Sequence, residues 1–139
     1  MKVPAEQGTP AVTRLVTATF PGTHDQAAQA RAFVREVLGH ARYHRIAGDA
    51  ELLASELFTN AARHSRSRDT GKVTIMVQAG DVVRVEVVDD GSADRLPRVM
   101  TPDPSSLGGR GLFLVRALSA RFGVRKHEAG TTTWFELIP

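Results

Sequence analysis

Three short stretches of this chain carry residue types that could do chemistry at a fixed place. Glu56, Asn60 and His64 recur every four residues within an apolar-periodic segment. On a helix about 40° separates each from the next, so all three share one face. A carboxylate there can accept a proton, and an amide can offer its oxygen to a hard cation. An exposed polar face closed by Arg63 as a helix-end cation is the plainer alternative. In the second stretch, Val85-Glu86-Val87-Val88-Asp89-Asp90-Gly91, a hydrophobic strand runs into two carboxylates and a glycine. An aspartate at a strand end can accept from a ligand amino group, and Gly91 lets backbone approach that ligand. Asp-Gly is equally favoured in a simple turn. In the third, Gly108, Gly109 and Gly111 open a helical pattern, where bare N–H groups and the positive end of the dipole suit phosphate and Arg110 can add a cation. No Gly-Lys-Ser/Thr follows, so this is not a P-loop, and a flexible hinge is the competing explanation.

The elements that must hold these residues follow from periodicity. Residues 1–11, with two prolines and a glycine, read as a loose leader before a single domain over 12–139. An alternating, β-branched run over 12–20 predicts a strand, stopped by Pro21 and Gly22. Ala30, Phe33, Val34, Val37, Leu38 and Ala41 recur at helical spacing and predict a helix over 25–41. Ala50, Leu53, Leu57 and Ala61 predict a second over 47–64, with Asp49 favouring its N-terminus. Val73, Ile75 and Val77, then Val83, Val85 and Val87, give two alternating runs around Ala79-Gly80-Asp81, the pattern of a hairpin. Residues 90–107 hold three prolines and little periodicity, a loop long enough to ask for a ligand. The glycine-led helix carries Leu112, Leu114, Val115 and Leu118 and runs out near Phe122 and Gly123; 124–128 and 131–138 read as a closing hairpin. The order lacks the alternating βαβ pattern of a parallel sheet. It predicts an α+β two-layer sandwich, a mixed sheet covered on one face by three helices.

Composition sets the outer bounds. A length of 139 residues with 42% hydrophobic and 24% charged residues suits one ordinary globular domain. The absence of cysteine excludes disulfides and thiolate metal sites and fits a cytoplasmic protein. No apolar run is long enough for a membrane span, and the first ten residues lack a signal-peptide core. The net charge of +3 is modest, with Arg63, Arg66 and Arg68 in one place and Arg121, Arg125 and Lys126 in another. Without a basic stripe interleaved with aromatics, direct nucleic-acid binding is not expected.

Taken together, the three stretches resemble in type, order and spacing the nucleotide boxes of the GHKL ATPase superfamily, whose domains adopt the Bergerat-type ATP fold. Glu56-Leu57-Phe58-Thr59-Asn60-Ala61-Ala62-Arg63-His64 resembles the N box, especially in the small anti-sigma-factor serine kinase branch, which also ends that box with a histidine. Asp89-Asp90-Gly91 resembles the first glycine box, Gly109-Arg110-Gly111-Leu112-Phe113-Leu114-Val115 the second, and Gly130-Thr131-Thr132-Thr133 the threonine element. The resemblance implies that Asn60 chelates Mg²⁺, Glu56 is the base, Asp89 accepts from the adenine amino group, and Gly108 to Gly111 wrap the phosphates of ATP. Residues 90–107 would form the lid, Thr132 would hydrogen-bond near Asp89, and Arg63, His64, Arg110 and Leu112 would line the phosphate side. One departure stands out: Ala93 occupies the second glycine position of the first glycine box, which reduces backbone freedom there.

A single domain over 12–139 is expected to leave no residues for a second, and none of the five histidines lies in an evident dimerisation segment. The expected function is therefore a serine/threonine kinase of the anti-sigma-factor type. Its substrate would be an anti-sigma-factor antagonist, with a sigma factor as a second candidate partner. A homodimer is implied by the resemblance alone. A nucleotide-gated regulatory binding module with little chemistry is the alternative.

Overall fold

A computed structural model describes residues 13–64, 71–89, 108–127 and 130–139; the side chains of Arg63, His64, Arg110 and Leu112 lie outside that description. The first strand, β1 (Arg14–Pro21), turns inward Val16, Ala18 and Phe20 and outward Leu15, Thr17 and Thr19. After a 3₁₀ turn at His24–Gln26 comes helix α1 (Ala27–Val37), which buries Ala30, Val34 and Val37 at the spacing of one helical face.

This helix stops four residues short of the expected Ala41, and the cause is local. His40 is extended, and its ring Nδ1 accepts the N–H of Arg42 at 2.9 Å. That cap starts a new 3₁₀ turn, Ala41–Tyr43, so Ala41 lies on the surface rather than in the core. The turn feeds straight into α2 (His44–His64), which begins three residues earlier than expected. Asp49 consequently falls in the second turn, and the first turn of α2 holds no acid. Across α2 the residues Ile46, Ala50, Leu53, Leu57, Phe58 and Ala61 are buried.

The predicted hairpin is present as β2 (Lys72–Ala79) and β3 (Val83–Asp89). Helix α3 (Gly108–Leu118) is the next described element and takes the glycines as its own first turn. It ends at Leu118, with Ser119 bonding back to the Val115 carbonyl. Phe122 and Gly123, expected at its end, instead belong to β4 (Arg121–His127), which pairs with β5 (Gly130–Leu137). Gly130 starts β5 with φ of 147°, a conformation that favours glycine.

The five strands form one sheet in the order β1-β2-β3-β5-β4, and every neighbouring pair is antiparallel. The expected mixed sheet is thus corrected. Strands β3 and β4 do point the same way, but β5 lies between them and pairs antiparallel with both. The two helices between β1 and β2 return the chain reversed.

The three helices share one face of the sheet, where Val34, Leu53, Leu57, Phe58 and Val115 join Val73, Ile75, Val77, Val83, Val85, Val87, Phe135 and Leu137 in one core. Phe20 links the layers, meeting Phe33 and Phe58 edge-on with ring centroids 6.0 and 6.1 Å away. On the other face Arg84 lies 3.9 Å over the Trp134 ring and pairs with Glu86 and Glu136 at 2.8 and 2.9 Å. Partial burial disfavours the Arg84 charge, but its bonds to the two carboxylates outweigh this and raise its pKa above the usual arginine value. Trp134 also lies flat over Gly123, where a Cβ would stand 2.8 Å from three indole atoms.

Candidate functional site

Strand registers place the site. Phe20, Val73, Asp89, Thr131 and Lys126 pair in succession, forming one row across all five strands on the helix-facing side. Phe58 packs on Phe20 at the β1 end of that row. The C-terminal half of α2, which carries Glu56 and Asn60, therefore lies over the same end of the sheet as Asp89. Helix α3 packs beside α2, bringing the glycine-led helix to the same layer.

Asn60 is the most unusual residue of this group. It is 8% exposed, and its Nδ2 has no hydrogen-bond partner. An orphaned buried amide costs about 1–3 kcal/mol, so such a group persists where something else uses it. The two ends of a primary amide are nearly interchangeable in shape, and turning this one presents an oxygen acceptor. Glu56 stands one helical turn earlier and is half-buried. Among the described residues no three His, Cys, Asp or Glu side chains cluster as a metal site. A lone amide oxygen supplemented by phosphate oxygens nevertheless suits Mg²⁺, which takes few protein ligands and keeps phosphates and waters in its shell. The residues present fit that ion, with Asn60 as the group that would hold it.

Asp89 ends β3 half-buried, and its Oδ1 accepts the Thr131 N–H at 3.3 Å. A carboxylate has about four lone-pair positions, which suits this strand end to accept from a ligand amino group. Here the expected threonine is corrected. Thr132 pairs with Val88, one position away, and strand alternation turns its side chain to the open face of the sheet. Its buried hydroxyl lies 3.0 Å from His127 Nε2 instead. Thr131 and Thr133 are the two that share the face of Asp89. Counting alternate residues from Asp89 across the hairpin register would have found Thr131; sequence spacing alone does not supply that register.

Gly108, Gly109, Arg110 and Gly111 form the first turn of α3, Gly111 is buried, and Leu112 follows in the same helix. Their backbone N–H groups are thus the unpaired donors of a helix start, suited to phosphate. Arg63 and His64 close the last turn of α2. Gly91, Ala93 and the expected lid over 90–107 lie outside the described residues.

The chain matches the histidine kinase-like ATPase domain family over residues 20–137. It belongs to that family. Membership makes this histidine kinase-like ATPase domain a nucleotide-binding unit of the ATPase and kinase type within the GHKL superfamily. Among solved structures it is similar to the histidine kinase domain of the Erythrobacter litoralis EL346 blue-light activated histidine kinase, with a TM-score of 0.51 and 22% identity. That match covers 86% of this chain and 61% of the other, so the chain spans under two thirds of its length, and the likeness is one of fold. No curated protein sequence matches the chain. No helix among the described residues is long and apolar enough to cross a membrane.

Proposed function

We propose that this domain is an ATP-dependent serine/threonine kinase of the anti-sigma-factor type, acting on an anti-sigma-factor antagonist, with a sigma factor as a second partner. The observation that carries the reading is the buried Asn60, whose amide Nδ2 has no partner, one turn after Glu56 on the same helix. Asp89 takes the adenine amino group, the first turn of α3 receives the phosphates, and Glu56 faces the acceptor hydroxyl. Mg²⁺, when bound at Asn60, supplies charge neutralisation to the phosphates. In the transfer the substrate hydroxyl gives its proton to the Glu56 carboxylate as its oxygen bonds to the γ-phosphorus. The bond to the bridging oxygen breaks and ADP leaves with that electron pair. Phosphoryl transfer asks mainly for position and electrostatics, which a compact domain can provide.

The test is incubation with labelled Mg-ATP and candidate antagonist proteins, beside the Glu56→Ala variant. Label on a serine or threonine that the variant fails to transfer supports the kinase. ATP-dependent complexes that persist in Glu56→Ala, with no label on any candidate, replace it by a nucleotide-gated binding module. A homodimer and a cytoplasmic setting accompany the proposal and are tested by sedimentation and fractionation.

A further inference from the structure

Asp89 and Thr131 are the last residues that β3 and β5 pair at their end of the sheet. Beyond them β5 has one more residue, Gly130, which pairs with His127 on the edge strand β4. The Thr131 N–H that Asp89 accepts at 3.3 Å therefore sits one residue from a strand terminus. Strand termini open more readily than strand centres, so a bond in that place keeps its geometry where the terminus is tied down.

A tie is present on the opposite face of the sheet. Lys126 shares the helix-facing row with Thr131, so alternation turns its neighbour His127 to the open face, together with Thr132. Directly across from His127 stands Gly130, which has no side chain to interpose, and the imidazole reaches diagonally to the residue two places on. There its Nε2 meets the Thr132 hydroxyl at 3.0 Å. Thr132 is 2% exposed, so this tie anchors in the body of the sheet although the imidazole itself is exposed. A hydroxyl both donates and accepts, so the bond forms with either imidazole tautomer. The start of β5 is thus held from two sides, by Asp89 at the Thr131 N–H and by His127 at the Thr132 hydroxyl.

We propose that His127 is a positioning residue for adenine recognition. Through Thr132 it fixes the first residues of β5, and through the Thr131 N–H it fixes the Asp89 carboxylate that takes the adenine amino group. The assignment rests on the reading of Asp89 as the adenine acceptor and deepens it. His127 lies on the face of the sheet away from the helices, so its effect reaches the nucleotide through the strand and not by contact. The phosphates are received separately, at the first turn of α3. The tie therefore bears on which base is chosen, whereas phosphate binding is independent of it.

The experiment measures, on the full chain by calorimetry, the affinity ratio between ATP and purine riboside triphosphate, the same nucleotide without the 6-amino group. In His127→Ala that ratio should fall about fivefold, and amide exchange at Thr131 in the nucleotide-free chain should quicken by about the same factor. Thr132→Val should match it, and the double variant should be no worse than either single one, because the two side chains make one bond. His127→Gln, whose amide can reach the same hydroxyl, should restore the ratio. Thr19→Val removes a comparable hydroxyl bond of 2.9 Å to Thr74, on β1 and β2, and should leave the ratio unchanged. An unchanged ratio in His127→Ala, or an equal loss of both nucleotides, would overturn the positioning role, while Asp89→Asn still abolishing the preference for ATP would keep the adenine site in place. If Asp89→Asn also leaves the ratio unchanged, the adenine reading itself fails and the role of His127 falls with it.

Discussion

Along the helix-facing side of β3 the residues run Val83, Val85, Val87 and then Asp89; beside them on β5 they run Leu137, Phe135, Thr133 and Thr131. Two adjacent strands thus begin as hydrocarbon at the Gly80 hairpin and finish as carboxylate and hydroxyl at the other end. At the hairpin end polar groups find partners within the fold: the Tyr43 hydroxyl reaches the Gly80 carbonyl at 3.3 Å, Arg42 meets Asp81, and Arg14 reaches the Val37 carbonyl at 3.4 Å. At the Asp89 end Asn60 is buried with one amide group unsatisfied. One end of the layer is folded to completion, and the other carries polar groups that a ligand can complete. The contrast follows the pattern in which functional sites violate rules obeyed elsewhere in the same fold.

That contrast can be broken by substitutions at each end. Phe135→Ala, in the apolar half, should cost about 3–5 kcal/mol of unfolding free energy in urea titration; a loss confined to nucleotide affinity would put the site where we place the core. Asp89→Asn should leave stability nearly unchanged while weakening ATP by roughly 10- to 100-fold in calorimetry, the cost of mismatching about 1–3 kcal/mol of buried hydrogen bonding. Equal affinity in that variant would mean the adenine pocket lies elsewhere. Asn60→Leu should stabilise the nucleotide-free domain by about 1 kcal/mol, because it removes an orphaned polar group, and should abolish Mg²⁺-dependent ATP binding. A destabilised Asn60→Leu would show that the amide is structural. Smallest of all, Tyr43→Phe should cost roughly 0.5–1.5 kcal/mol of stability, with ATP affinity intact.

Much of this division is legible in the amino-acid sequence. Spacing of four along one helix places Glu56 and Asn60 together, and alternation around Ala79-Gly80-Asp81 yields the central hairpin with its register end at Asp89. What periodicity does not supply is whatever depends on which strands are neighbours. The all-antiparallel sheet and the choice of Thr131 over Thr132 both follow from β5 lying between β3 and β4, a long-range pairing. The helix ends fail for the opposite reason. Ala41 continues the apolar period of α1, but the local cap from the His40 ring to the Arg42 N–H overrides it. Phe122 likewise continues the apolar run of α3, yet it pairs with Phe135 in a strand.

The flat seat of Trp134 over Gly123 has a practical consequence. This is the only tryptophan in the chain, and its neighbours on β5 include Thr133 on the opposite face, in the row next to Asp89. The domain therefore carries a built-in fluorophore on the strand that forms one wall of the candidate nucleotide site. Because its ring rests against Gly123 and under Arg84, its emission should report small displacements of that wall when ligand arrives. Occupancy could then be followed by light from the unmodified protein.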